Sequence, residues 1–211
     1  MKSTALNSSW LVKIEEKFLL AEDHHIEAGL SWYDNANQFV TMTGLNYNVP
    51  ADKVAKIVAV LSPGSRWDRN KRDAWLLLSW ANLTEEQITN LPFGTYKANV
   101  RKAWRVYHDL EDLLPKSQKT FAFYRNIMLD PDHVTVDRHA ITAIGGVKFL
   151  NKIASKTANG AYSLTEYRYK RAADAYKNMA NKYNLTPYQL QAIVWMTETE
   201  RKLANKKTKG E

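Results

Sequence analysis

The chain has 211 residues, 45% of them apolar, which is enough to bury a full core in one domain or in two closely packed lobes. Thirty Lys and Arg against 22 Asp and Glu leave a net charge of +8 and a pI near 9.5, an excess that favours a polyanion as partner beside the plainer role of solubility. The absence of cysteine excludes disulfides, thiolate nucleophiles, cysteine-held zinc and iron–sulfur clusters, and no apolar run approaches the roughly 20 residues of a membrane helix.

Met1-Lys2-Ser3-Thr4-Ala5 leads into no apolar signal core, so a cytoplasmic protein is expected, neither exported nor embedded in a membrane. Short helices are expected over residues 10–21 and 26–41. Two more follow over 50–61 and 69–81, separated by the breaker cluster Ser62-Pro63-Gly64-Ser65. Thr84-Glu85-Glu86-Gln87 offers a capping-box start for another. From 96 to 114 the apolar positions Val100, Ala103, Trp104, Tyr107, Leu110 and Leu114 keep helical spacing, and the opposite face carries Lys97, Arg101 and Arg105, each four residues on.

Val134-Thr135-Val136 is too short a β-branched piece to build a sheet. The set Ala172, Tyr176, Met179, Ala180 and Tyr183 marks a helix between 163 and 183, and Thr186-Pro187 starts the last one through Leu190, Ile193 and Val194. The lysine-rich end from Lys202 reads as frayed, with 206–211 a basic tail. The expected fold is all-α. Residues 1–205 form one unit of two lobes, one spanning about 45–130 and the other 1–44 with 131–205.

The segments that can carry chemistry are Lys119-Thr120 and, 18 residues after that lysine, Asp137 within Val134-Thr135-Val136-Asp137-Arg138-His139. They sit at opposite ends of a predicted helix and loop. Excising a nucleic-acid base needs a carboxylate to stabilise a cationic sugar or activate a nucleophile, and an amine can attack the sugar carbon to form a Schiff base. Asp137 is placed to start a helix, where unpaired backbone N–H groups favour its ionised form. It reads equally as an ordinary capping aspartate, and Lys119 equally as a solvated lysine. The row Lys97, Arg101 and Arg105 suits phosphate contacts or a solvated face. His24, His25, His108, His133 and His139 join no carboxylate in a ligand spacing, so no metal site is expected.

Leu114-Pro115-Lys116-Ser117-Gln118-Lys119-Thr120 and Val136-Asp137-Arg138-His139 are similar to the Leu-Pro-Gly-Val-Gly-x-Lys-Thr hairpin and the Val-Asp-x-His segment of the helix-hairpin-helix DNA glycosylase superfamily, the endonuclease III-like enzymes. Ala59-Val60-Leu61-Ser62, with Asn70-Lys71 downstream, resembles the Leu-Leu-Ser loop that fills the gap left by an extruded base. Tyr96-Lys97-Ala98-Asn99-Val100 resembles the superfamily's Tyr-x-x-Lys-Ala-x-Asn-Ile helix start, and Gln191-Ala192-Ile193-Val194-Trp195 falls where it closes with a buried helix. The matches keep family order over about residues 45–200.

The resemblance implies a two-lobed helical protein with a helix-hairpin-helix-like element, a compact, cluster-free relative of the kind phages encode. It implies a DNA N-glycosylase, with or without lyase activity, acting on a modified, damaged or mismatched base in double-stranded DNA, as a monomer and without cofactor or metal. Asp137 would be the essential carboxylate and Lys119 the amine, with His139 supporting the site. Lys116, Ser117, Gln118, Lys97, Arg101 and Arg105 would hold the DNA backbone. Arg66, Trp67 and Asn70 would act at the vacated stack, where Arg66 and Trp67 read alternatively as a surface arginine and a core tryptophan. Trp32, Tyr33 and Tyr124, with Trp75, would wall the base pocket, although 24 aromatics in a helical core are mostly packing. The hairpin departs from the family pattern, because Lys116 and Gln118 replace the two glycines that let backbone amides approach a phosphate. The same scaffold serves two alternatives, a phage enzyme that hypermodifies the base without cleaving the sugar bond, and a DNA-binding module without catalysis.

Overall fold

The computed structural model describes residues 2–113, 118–156 and 162–208, and over these the chain is mostly helical. The helices are α1 (Lys2–Phe18), α2 (Asp23–Tyr47), α3 (Ala51–Leu61), α4 (Trp67–Ser79), α5 (Glu85–Ile88), α6 (Lys97–Tyr107), α7 (Gln118–Ile127), α8 (Arg138–Ile153), α9 (Glu166–Lys182) and α10 (Pro187–Thr208). Among the described residues, β structure is one antiparallel pairing of two-residue strands, β1 (Ser155–Lys156) with β2 (Tyr162–Ser163).

Local chemistry sets most of the helix ends. Gly64 takes a left-handed φ of 79° between α3 and α4. The Thr84 capping box forms, with the Gln87 N–H donating to Thr84 Oγ1 (3.3 Å) and the Thr84 N–H to Gln87 Oε1 (3.0 Å), yet it starts a helix of only four residues. Two ends differ from the periodic pattern. α6 stops at Tyr107 because Asp109 adopts φ 57°, and the Leu110 N–H then closes onto the Arg105 carbonyl at 2.9 Å. α2 likewise runs on to Tyr47, where Asn48 at φ 53° lets the Val49 N–H reach the Gly44 carbonyl. α10 continues to Thr208, through the lysine-rich end that composition reads as frayed.

The chain divides into two compact units, residues 1–34 with 130–211 and residues 35–129. The first boundary falls inside α2, about ten residues before the position expected from the sequence. In the first unit, α1, α8, α9 and α10 share a core of Trp10, Ile14, Ile141, Leu150, Tyr176 and Leu190. There α2 meets α10 at a point where side chains leave no room: a Cβ on Gly29 would lie 2.6 Å from the Ile193 nitrogen and 2.7 Å from its Cα. α8 is broken by Gly146, whose φ of 74° and ψ of −179° are essentially a glycine conformation.

The second unit is arranged on α3, which buries Val54, Ala55, Ile57, Val58, Ala59, Val60 and Leu61 and packs against α4, α6 and α7. A helix apolar on nearly every side belongs at the centre of its unit. α6 is the contrasting case, burying Val100, Ala103 and Val106 and leaving Lys97, Arg101 and Arg105 exposed. This unit holds 13 of the Lys and Arg residues against eight Asp and Glu, so it carries +5 of the chain's net charge of +8.

Candidate functional site

Asp137 is the N-cap of α8, in extended conformation, with its Oδ1 accepting the Ala140 N–H at 2.8 Å. It is part-exposed. The backbone around it is held by phenols, Tyr33 and Tyr176 buried and Tyr169 part-buried. Tyr169 donates to the Val134 carbonyl (3.0 Å) and accepts the Val136 N–H (3.2 Å), and Tyr176 donates to the Ala140 carbonyl (2.9 Å). Tyr33 donates to Thr135 Oγ1 and Gln191 Oε1, each at 3.3 Å. Burial pushes the ionisation of all three phenols up, and the negative charge of Asp137 adds to the effect, so they stay neutral donors. The Ala140 N–H holds the carboxylate itself, and the phenols hold the backbone on either side of it. His139, two residues on, has its Nε2 3.4 Å from the Arg138 guanidinium.

The other predicted residues fall mostly in the second unit. Lys119 stands part-exposed in the first turn of α7, after Gln118, while Lys116 and Ser117 lie outside the described residues. Of the basic row, Arg105 is paired with Glu85 (2.9 Å) and Lys97 donates to Asn90 (3.3 Å). Arg66 is exposed at the N-cap of α4, whereas Trp67 packs edge-on against Phe39, with Lys71 5.9 Å from its ring.

Three placements need correction. Asn70 is 2% exposed and donates to the Val58 carbonyl at 3.1 Å, so it joins α4 to α3 and does not face a nucleic acid. Tyr33 at 3% and Tyr124 at 6% exposure have no free face for a base. The Tyr124 hydroxyl donates to Asp52 in a network where Lys56 bridges Asp52 (3.3 Å) and Asp112 (3.0 Å). Trp32 is part-buried, edge-on to Tyr33 and Trp195.

Sequence reasoning misses one cluster entirely. His24 and His25 start α2, and Glu200 of α10, 175 residues beyond His25, brings Oε2 to within 2.8 Å of His24 Nε2 and 2.7 Å of His25 Nε2. Their ligating atoms lie within 4.8 Å of one another, a geometry that invites a metal reading. The tautomer argues otherwise. The Glu22 N–H donates to His25 Nδ1 (3.1 Å), in the manner of a capping box, so the His25 proton sits on Nε2 and is donated to Glu200. The cluster ties the start of α2 to α10.

That tie is pH-dependent in a defined band. The hydrogen bond to Glu200 raises the His24 value, so its contribution is complete below about 6.5 and fades as pH climbs through the raised value. The His24 bond lowers the Glu200 value, so that contribution is complete above about 4.5 and fades as pH drops through the lowered value. Urea midpoints of the parent and Glu200→Gln should therefore differ most between those two limits and converge outside them. A difference that stays flat with pH would remove the ionised pair from the account.

Compared with known proteins, residues 1–202 match a family described as "Family of unknown function (DUF7178)". No curated protein and no solved structure matches the chain.

Proposed function

The chain belongs to that DUF7178 family, and from its own residues we propose that it is a DNA N-glycosylase that extrudes a modified, damaged or mismatched base and excises it. The observation that carries the reading is Asp137, a part-exposed carboxylate held at the start of α8 by the Ala140 amide, with buried Tyr176 and part-buried Tyr169 bonding the backbone around it. A fixed negative charge of this kind stabilises the oxocarbenium-like sugar as the glycosidic bond breaks. The motif order resembling helix-hairpin-helix glycosylases supports the same assignment.

Lys119 is the proposed amine. Its neutral nitrogen attacks the sugar C1′ as the glycosidic C–N bond breaks and the base leaves with one amine proton; the C1′–O4′ bond then opens, O4′ takes the second, and the Schiff base left on C1′ opens the way to strand cleavage. Arg101 and Lys97, with Gln118, Lys116 and Ser117, would hold phosphates, and Arg105 would join them on leaving Glu85. Because Trp67 packs against Phe39, exposed Arg66 is the better side chain to fill the vacated stack. The chemistry calls for no metal or organic cofactor, and a monomer suffices.

The test is incubation with duplexes carrying hydroxymethylated, glucosylated, uracil or oxidised bases, read by mass spectrometry. Release of a free base supports the proposal. A base of altered mass on an intact sugar bond would make the chain a base-modifying enzyme, and binding without either product would make it a binding module. Borohydride trapping on abasic DNA is expected to give an adduct that disappears in Lys119→Ala. Absence of any adduct would reduce the activity to a plain glycosylase.

A further inference from the structure

α2 carries Phe39, Met42, Thr43, Asn46 and Tyr47 at helical spacing, one continuous stripe that mixes aromatic and polar types. Together with Trp75 of α4 this stripe lines a cavity of about 540 Å³, all of it in the second unit. Its size is that of a small-molecule site. The walls are held at their polar ends. The Trp75 indole N–H donates to Thr43 Oγ1 at 3.2 Å, and one turn further along both helices the Tyr47 hydroxyl bonds Ser79 Oγ at 2.8 Å. Phe39 is braced on both sides, its ring 5.5 Å from Trp75 and 5.7 Å from Trp67.

Despite that bracing, Trp75 is 45% exposed and Met42 52%. A rigid aromatic face open to solvent suits a flat ligand, since stacking gains most when the platform is already ordered. The Asn46 amide, exposed at the rim, offers both a donor and an acceptor to the edge of such a ligand. Among the described residues, none that lines the cavity is a carboxylate. Lys71 and Arg72 lie one turn before Trp75 on α4, Lys71 3.0 Å from Asp68 and Arg72, 63% exposed, 3.8 Å from Asp73, so each can turn from a carboxylate to a phosphate. Planarity, a hydrogen-bonding edge and an adjacent anion together describe a nucleotide.

We propose that the cavity of Phe39, Met42, Asn46, Tyr47 and Trp75 receives an unpaired nucleobase, stacked on the Trp75 indole with its phosphate toward Lys71 and Arg72. The site takes up the nucleic-acid half of the reading above and none of its chemistry, because it shares no residue with Asp137 or Lys119. Such a pocket would hold a single-stranded or displaced nucleotide with little regard to sequence.

The experiment compares labelled oligothymidylate with an oligomer of equal length and charge built from tetrahydrofuran abasic units, which offer no C1′ aldehyde for an amine to attack, followed by fluorescence anisotropy. The parent chain is expected to bind the base-bearing strand more tightly, by roughly tenfold or more for the loss of base stacking. Trp75→Ala and Asn46→Ala should shrink that preference, and Trp75→Tyr should keep most of it. Asn46 is exposed, so its variant leaves the fold in place should Trp75→Ala unfold. Neither strand carries an excisable base or a C1′ aldehyde, and the preference is read between strands of equal charge, so failure here is distinct from failure of the glycosylase reading. Equal affinity of the parent for both strands overturns the proposal, as does an unchanged preference in a folded Trp75→Ala. Self-association abolished by that substitution would assign the cavity to a second copy of the chain instead.

Discussion

Base release is expected to fall by roughly two to three orders of magnitude in Asp137→Asn, the usual effect of deleting one strong electrostatic contact to a developing charge, while thermal stability stays close to the parent's. Both outcomes trace to one side chain. Oδ1 of Asp137 accepts the Ala140 N–H, and an asparagine carbonyl accepts it as well, because the two residues cap helices about equally. What asparagine lacks is the negative charge that the cationic sugar needs. Asp137→Ala removes cap and charge together and should also lower the unfolding free energy by about 1 kcal/mol. Single-turnover release and denaturant unfolding on the same preparations separate the two roles. If the asparagine variant releases base at the parent's rate, Asp137 is a cap and nothing more.

The largest stability effect is expected from Gly29→Ala. An added methyl would stand 2.5 Å from the Ile193 side chain, 2.6 Å from its nitrogen and 2.7 Å from its Cα, so α2 and α10 must separate. Overpacking of this kind costs about 2–3 kcal/mol, which for a chain of this size lowers the melting temperature by roughly 4–12 °C. Trimming the neighbour should rescue little. Ile193→Ala relieves the side-chain contact and leaves both backbone contacts standing. Scanning calorimetry of the single and double variants checks this, and a parent-like transition in Gly29→Ala would show that the helices slide apart freely.

Much of the helical layout was legible because its signals are local. Pro63 and Gly64 mark the break between α3 and α4, Thr84 and Gln87 announce a cap, and Asp137 precedes a helix it does cap. Periodicity misled at α6, where Leu110 and Leu114 prolong the pattern past Asp109, a residue whose left-handed backbone ends the helix. Leu110 is 66% exposed, so its spacing carries no packing. Asn70 could not be told from a surface residue, because its burial depends on the Val58 carbonyl of another helix. The link from His24 and His25 to Glu200 was equally hidden, since only folding brings α10 to the start of α2. The Phe39, Met42, Thr43, Asn46 and Tyr47 stripe was open to inspection, and its polar members were the signal that it is not plain core.

The break at Gly146 bears on how α8 responds to local opening. A residue at that φ and ψ interrupts the ladder of backbone bonds, so α8 behaves as two short rods, the first anchored by Asp137 and Tyr176 and the second by Arg168, which grips the Ile153 carbonyl at 2.6 Å. Solvent gains access to such a helix at its midpoint as well as at its ends. Breathing of the distal rod therefore stops at the glycine, and the carboxylate at the far tip is insulated from it.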